Sequence, residues 1–470
     1  MDLLDYFLIF IIVSLVVAFV LKKFKIGQQY FFLVTMVRAK WPVKYFDMLA
    51  HHKKILNFLA DLGLIIGFGA VGIDFLFGKH QPKHKRAILF ALSAFVLGIF
   101  AFFILAPFLG SPIALHDYSI LFAIAFGLFG LSGFTLIALV VSAYEIIVRT
   151  LQGIPSCPAV APLIPGVELP NVPITVPLHG WLSLIIILVL HEGSHGILAR
   201  KAKILVKSAG ILLLGFLPIG AFVEPNDKSL AKAKPIEQAR IFVAGAAANF
   251  YTFLGTLGIA FLVLFLVINP FILPKFTEFN RQGTEYVFIS QVTETTDFCN
   301  VKYPNSAFGV LEPGWKILEA NGKPVQIVQD YMEAVVNTKT VTMKLETQTG
   351  EIVEKTLTKN EFNLLGFTPE IKKKEGFALP PEWMAIGVII SFLGSFVYWF
   401  ILLNIMVATV NFLPTEPFDG GKIAKILLPD YLKFTGLNEE KRRKIVSKIF
   451  SYLILTLFLL NALPLFFVPQ

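Results

Sequence analysis

The chain has 470 residues, 56% hydrophobic, 14% aromatic and only 16% charged. Soluble domains carry about 25% charged residues, so this composition excludes a soluble globular protein and marks an integral membrane protein. The net charge of +9 does not point to nucleic acid, because the Lys and Arg residues sit in short loops between apolar runs, where they act as topology signals and anionic-lipid contacts.

Apolar segments long enough to span a bilayer, roughly 20 residues each, are expected near 3–21, 55–77, 87–109, 118–147, 180–199, 241–269, 384–412 and 447–467. Asp61 and Asp74 interrupt the second, either as marks of an ion path or at the membrane interface. The first begins at Leu3 with no basic stretch before it and is followed by Lys22 and Lys23, unlike a cleavable signal. A Pro-rich stretch at 155–177 reads as an extended linker. The segment 204–223 is apolar but broken by Gly210, Gly215, Pro218 and Gly220. That density predicts a re-entrant hairpin rather than a crossing. The fold expected is therefore an α-helical polytopic membrane protein with about eight transmembrane helices and one re-entrant hairpin.

Basic loops set the orientation. Those after the first and fifth spans, with the run Lys441-Arg442-Arg443-Lys444 before the last, fall on one side if eight spans alternate. That side should be the cytoplasm, with both termini outside. The loop carrying Lys79, Lys83, Lys85 and Arg86 then falls outside and breaks the rule. Cys157 and Cys299 would both lie outside; a disulfide and two free thiols both stay open. Without a Cys-x-x-Cys pair, a thiolate metal site is excluded.

Residues 275–380 are polar and rich in Thr, Val, Lys and Glu. Here "PNSAFGVLEPGWKILEANGKPV" (304–325) precedes a helical stretch and two alternating strands, "TVTMKLET" and "EIVEKTLT". The order of elements resembles a PDZ domain of the prokaryotic protease-associated type. Gly314 matches its strand entry and Asn321-Gly322 its hairpin, while Trp315 replaces the usual Asp. Such modules take an extended peptide on a sheet edge, so a peptide ligand is expected at this inserted α/β domain, outside the cytoplasm.

The fifth span ends in His191-Glu192-Gly193-Ser194-His195. On a helix, positions i and i+4 share a face, so both imidazoles can reach one ion, with Glu192 placed to act on a bound water. A charged group at membrane depth costs about 2.5 kcal/mol or more, so three polar groups there call for a purpose. A zinc site needs a third protein ligand, and residues 196–202 offer neither His nor Asp. Asp419, in "NIMVATVNFLPTEPFDGGKI" (404–423), is the candidate, with a turn or helix-capping Asp as the alternative.

His-Glu-x-x-His on one helix with Asn411-x-x-Pro414-x-x-x-x-Asp419-Gly420 ending a later one resembles the site-2 protease family of intramembrane metalloproteases, in its prokaryotic and archaeal form. Residues 245–249 (GAAAN) match that family's Gly-x-x-x-Asn motif, with Ala246 where Pro is frequent; Phe418 stands where Leu usually precedes the Asp. The resemblance covers 179–467. It implies zinc held by His191, His195 and Asp419, with Glu192 catalytic. Asn249 and Asn411 would hold the substrate backbone or the oxyanion, or else bond between helices. It implies transmembrane protein substrates and regulated intramembrane proteolysis, while the Arg200-Lys201 flank places the site toward the cytoplasm.

The expected organisation is an added N-terminal membrane module of about four helices (1–150), the linker (151–178), two halves of a protease core (179–272 and 384–470) and the PDZ-like domain (275–380). Two other functions stay open. One is a membrane-embedded zincin acting on soluble or lipidated peptides. The other is a transporter or receptor with a PDZ-like sensor.

Overall fold

A computed structural model describes residues 3–24, 27–30, 34–109, 118–169, 171–215, 217–299 and 301–466. The end of the last expected span, residue 467, lies outside them. The N-terminal half contains α1 (Leu3–Lys23), strands β1 (Gln28–Tyr30) and β2 (Val34–Ala39), and helices α2 (Pro42–Leu49), α3 (Lys53–Ile73), α4 (Lys83–Leu109) and α5 (Ser119–Leu151). Next come α6 (Gly180–Lys201), the hairpin β3 (Val206–Leu214) and β4 (Leu217–Pro225), α7 (Asp227–Lys232), and α8 (Pro235–Val263), which runs through a π-helical stretch into α9 (Leu273–Gly283). After an inserted β domain, α11 (Pro381–Asn411), α12 (Asp419–Leu427) and α13 (Glu439–Ala462) close the chain. Seven helices among the described residues are long and apolar enough to cross a membrane. The chain is thus a polytopic membrane protein.

Two of these seven do not run straight. Gly69 in α3 has φ 54°, ψ −134°, and Gly130 in α5 has φ 57°, ψ −145°. Only glycine takes such angles without steric cost. The chain folds back at each. In α5, Tyr118 donates a hydrogen bond of 3.0 Å to Glu145, and the rings of Phe122 and Phe134 lie 4.9 Å apart. In a straight helix at 1.5 Å per residue, 27 residues would separate Tyr118 from Glu145 by about 40 Å. In α3, a Cβ on Gly72 would strike the Leu64 carbonyl, eight residues back. The same relation holds between Gly133 and the Ala125 carbonyl. Both turns carry one pattern, Phe68-Gly69-x-x-Gly72 and Phe129-Gly130-x-x-Gly133, and the two apices meet, with a Cβ on Gly69 falling 2.6 Å from the Gly130 nitrogen.

The segments expected as single spans at 55–77 and 118–147 are therefore each bent back on themselves at a glycine. The glycine argument that marked 204–223 applied equally to Gly63, Gly67, Gly69 and Gly72, but the long apolar run masked it. After α3 folds back, Lys79 pairs with Asp430 at 2.8 Å, and Tyr431 bonds Asp74 at 2.6 Å. The 79–86 loop therefore sits beside the stretch that follows α12, at the end of the bundle where α13 begins.

The 204–223 segment is the expected hairpin, β3–β4, with β2 paired antiparallel to β3 from Val34↔Leu214 to Ala39↔Ala209. The sheet order β1-β2-β3-β4 leaves β4 as an edge, lying against α6. Residues 1–150 are bound into the remainder of the molecule, since α3 also packs on α8, where a Cβ on Gly63 would meet Ala247 at 2.6 Å.

The inserted domain holds β5 (Thr284–Val292), a small β6–β7 hairpin (Thr295–Phe298, Val301–Pro304), β8 (Lys316–Ala320), β9 (Lys323–Pro324), α10 (Val328–Val335), β10 (Thr340–Glu346), β11 (Ile352–Thr358) and β12 (Phe367–Lys373). Its main sheet runs β11-β10-β8-β5-β12 around a core including Val287, Ile317, Met343 and Leu345. Asn321 and Gly322 both have positive φ, 48° and 75°, as a two-residue hairpin turn requires. A Cys157–Cys299 disulfide joins the Pro-rich segment to the β6–β7 turn.

Candidate metal centre

The three candidate ligands come from two distant parts of the chain and meet in the bundle. His191 and His195 lie one turn apart on α6, with ring centroids 5.0 Å apart. Asp419 is the first residue of α12. Its Oδ2 lies 3.1 Å from His191 Nε2 and 2.9 Å from His195 Nε2, and one ligand atom from each residue falls within 4.8 Å of the others. His191 and Asp419 are buried, 6% and 5% exposed.

Glycines make this approach possible. A Cβ on Gly245 of α8 would sit 2.5 Å from both His191 Nε2 and His195 Nε2, so α8 backs directly onto the imidazoles. A Cβ on Gly420 would strike the Phe412 and Leu413 carbonyls, and one on Gly421 the backbone at Thr415–Glu416. The chain between α11 and α12 thus folds tightly under α12 and brings Asp419 to the histidines.

Each ligand has one further partner. His195 Nδ1–H donates to the Ile241 carbonyl at 2.7 Å. His191 Nδ1 lies 3.0 Å from the Asn249 amide. Lys422, one turn along α12, donates to Asp419 Oδ1 at 3.1 Å. Such outer contacts orient ligands and set which ring nitrogen is free. Lys422 and Gly245 were not singled out from the sequence as ligand supports; the signal was their spacing, Asp-x-x-Lys on one helix face and Gly-x-x-x-Asn on another.

A cavity of about 510 Å³ opens onto this group and is lined by Glu192, His195, Asp419, Lys422, Val223 and Gln238 among others. Glu192 is half-buried and faces it. Pro225, at the end of the edge strand β4, also lines it. Between these two strand residues stands Glu224, whose carboxyl is held below its usual range by the Ser208 hydroxyl and the Arg38 guanidinium. An N-terminal strand residue thereby fixes the rim.

The other candidates, Asn249 excepted, lie apart. Asn411 donates its amide to the Val407 carbonyl of its own helix at 3.0 Å. Asn249 is fully buried. His179 is 3.2 Å from the Ser395 hydroxyl, away from the centre. Asp61 takes a two-pronged contact from Arg240, at 2.8 and 2.7 Å, and Asp74 is bonded by Arg86 and Tyr431. Both acids of the second expected span are structural ion-pair partners.

Residues 179–459 match the model of peptidase family M50, the site-2 protease family. The chain belongs to peptidase family M50. M50 proteins are membrane metalloproteases, and the His-His-Asp group stands where a metalloprotease needs its ligands. The chain is also similar to the uncharacterized protein MJ0971 of Methanocaldococcus jannaschii, 30% identical over 270 residues. That alignment covers 57% of this chain and 60% of the archaeal protein. The M50 match begins at α6, so α1 to α5 lie outside it.

Proposed function

We propose that this M50 protein is a zinc-dependent endopeptidase that cleaves transmembrane segments of membrane proteins. The observation that carries the reading is the donor set: two imidazole nitrogens and one carboxylate oxygen within 4.8 Å, beside a cavity holding Glu192. Three such ligands suit zinc and leave a fourth position open. A zinc ion there would supply a Lewis acid that activates water near neutral pH and polarises the scissile carbonyl.

The chain's own residues do the remaining work. Glu192 takes the proton from the attacking water and passes it to the leaving amine. A transmembrane helix must unwind before its backbone can be cut, and the lost hydrogen bonds need replacement. The unpaired edge of β4 offers them to an extended segment, and β4 ends at the cavity. We place the centre toward the cytoplasm, because the basic clusters Arg200–Lys201 and Lys441–Lys444 belong to the helix ends around it. The inserted domain then faces the opposite side, and its PDZ-like order of elements supports a peptide-binding role.

The test uses the purified full chain. One zinc per chain is expected, lost on His191→Ala or Asp419→Ala. Glu192→Ala should keep the zinc and abolish cleavage of a membrane-spanning substrate. Undiminished cleavage by Glu192→Ala would overturn the mechanism. Cleavage of soluble or lipidated peptides alone would favour a different substrate class, and zinc without any cleavage a sensor or transporter.

A further inference from the structure

We infer that Asn249 is a positioning residue that holds the outer ring nitrogen of His191 in either of its neutral tautomers, and that it does not touch substrate. The inference rests on the metal reading above. Asn249 is fully buried, on the face of α8 that Gly245 presses against the imidazoles. Its amide nitrogen lies 3.0 Å from His191 Nδ1, while its Oδ1 is buried without a hydrogen-bond partner. A group so enclosed cannot reach a substrate backbone in the cavity, and Asn249 does not line it.

In the arrangement described, the Asn249 amide N–H donates to Nδ1, so the proton of the neutral ring belongs on Nε2, which faces Asp419 Oδ2. That tautomer cannot ligate through Nε2. Ligation requires the proton on Nδ1, and Nδ1–H then needs an acceptor. A half-turn of the primary amide supplies one, because its oxygen and nitrogen occupy equivalent positions. His195 has no such choice, since its Nδ1 faces the Ile241 carbonyl, which only accepts. One histidine is therefore fixed in the ligating tautomer by backbone. The other is served by an amide that fits both the metal-free and the metal-loaded ring.

The experiment measures zinc affinity of the purified full chain by competition with a chromophoric chelator, separately from proteolysis. Asn249→Ala is expected to weaken zinc binding by about 10- to 100-fold, the usual effect of losing an outer partner of a ligand. Asn249→Asp offers only acceptors, so it should bind zinc at least as tightly as the native chain. Thermal unfolding of the metal-free variants shows whether each still folds. Unchanged zinc affinity in Asn249→Ala with a raised KM would overturn the inference in favour of substrate contact. Equal loss in a folded Asn249→Asp would overturn it in favour of simple packing. Native protein that binds no zinc would instead fail the metal reading itself.

Discussion

The carboxylate of Asp419 is divided between two neighbours, Oδ2 toward the imidazoles and Oδ1 toward Lys422. The motif singles out this residue, with a turn or helix-capping Asp as the alternative, and at the first position of α12 its Oδ2 faces both imidazoles. Gly245 is the sharper case. Its Cβ position lies 2.5 Å from the Nε2 atoms of His191 and His195, closer than real contacts allow, so Gly245→Ala should push the imidazoles off Asp419. We expect a cost of about 1–3 kcal/mol, typical of overpacking, and loss of bound zinc measured by metal analysis. Ala246→Pro, which restores the family's frequent residue, should not cause that loss. The meeting of the two histidines with Asp419 was legible because metal chemistry demands fixed types at fixed spacing. The role of Asn249 was not, because one sequence cannot say which way an amide faces.

At the level of the element, the re-entrant β-hairpin was legible and the two folded-back helices were not. The difference lies in interruption. Pro218 and three glycines break 204–223, whereas Gly130 stands in an unbroken apolar run, and the run around Gly69 is interrupted by Asp61 and Asp74 but by no proline. The φ values of Gly69 and Gly130 require glycine. Gly130→Ala should therefore cost about 1–3 kcal/mol in backbone strain, besides the collision with the Ile66 carbonyl, and lower the melting temperature of the purified chain. Gly258→Ala is the control, because nothing lies within 4 Å of its Cβ position, and it should be neutral or stabilising by about 0.5–1 kcal/mol. In the inserted domain, burial alone would raise the Asp330 pKa, but the Arg281 guanidinium and the Gln326 and Ile327 amides lower it overall. A depressed carboxyl stabilises the folded state above its ordinary pKa of about 3.9 and loses that contribution as pH falls through the depressed value. Asp330→Asn should remove this acid dependence and speed hydrogen exchange of the α10 amides near neutral pH.

For the whole molecule, the folding back of α3 decides which loops share a side of the membrane. An eight-crossing alternation separates Lys79–Arg86 from the other basic loops, against the tendency of Lys and Arg to stay on one face. We expect the folding back of α3 to reunite them, because Lys79 pairs with Asp430 and Arg86 with Asp74 near the start of α13. Meanwhile Tyr118 and Glu145 meet although 27 residues apart, so the two arms of α5 run back along one another. Both cysteines are engaged in the Cys157–Cys299 disulfide, which leaves a background without free thiols for labelling. A membrane-impermeant maleimide applied to one face of sealed vesicles should therefore report a single introduced cysteine. Lys83→Cys is expected to label from the same side as Glu440→Cys, beside α13, and from the opposite side to Glu351→Cys in the inserted domain. Labelling of Lys83→Cys together with Glu351→Cys would mean that α3 crosses the bilayer after all. The contacts of Lys79 and Tyr431 would then have to be absent from the membrane-embedded protein.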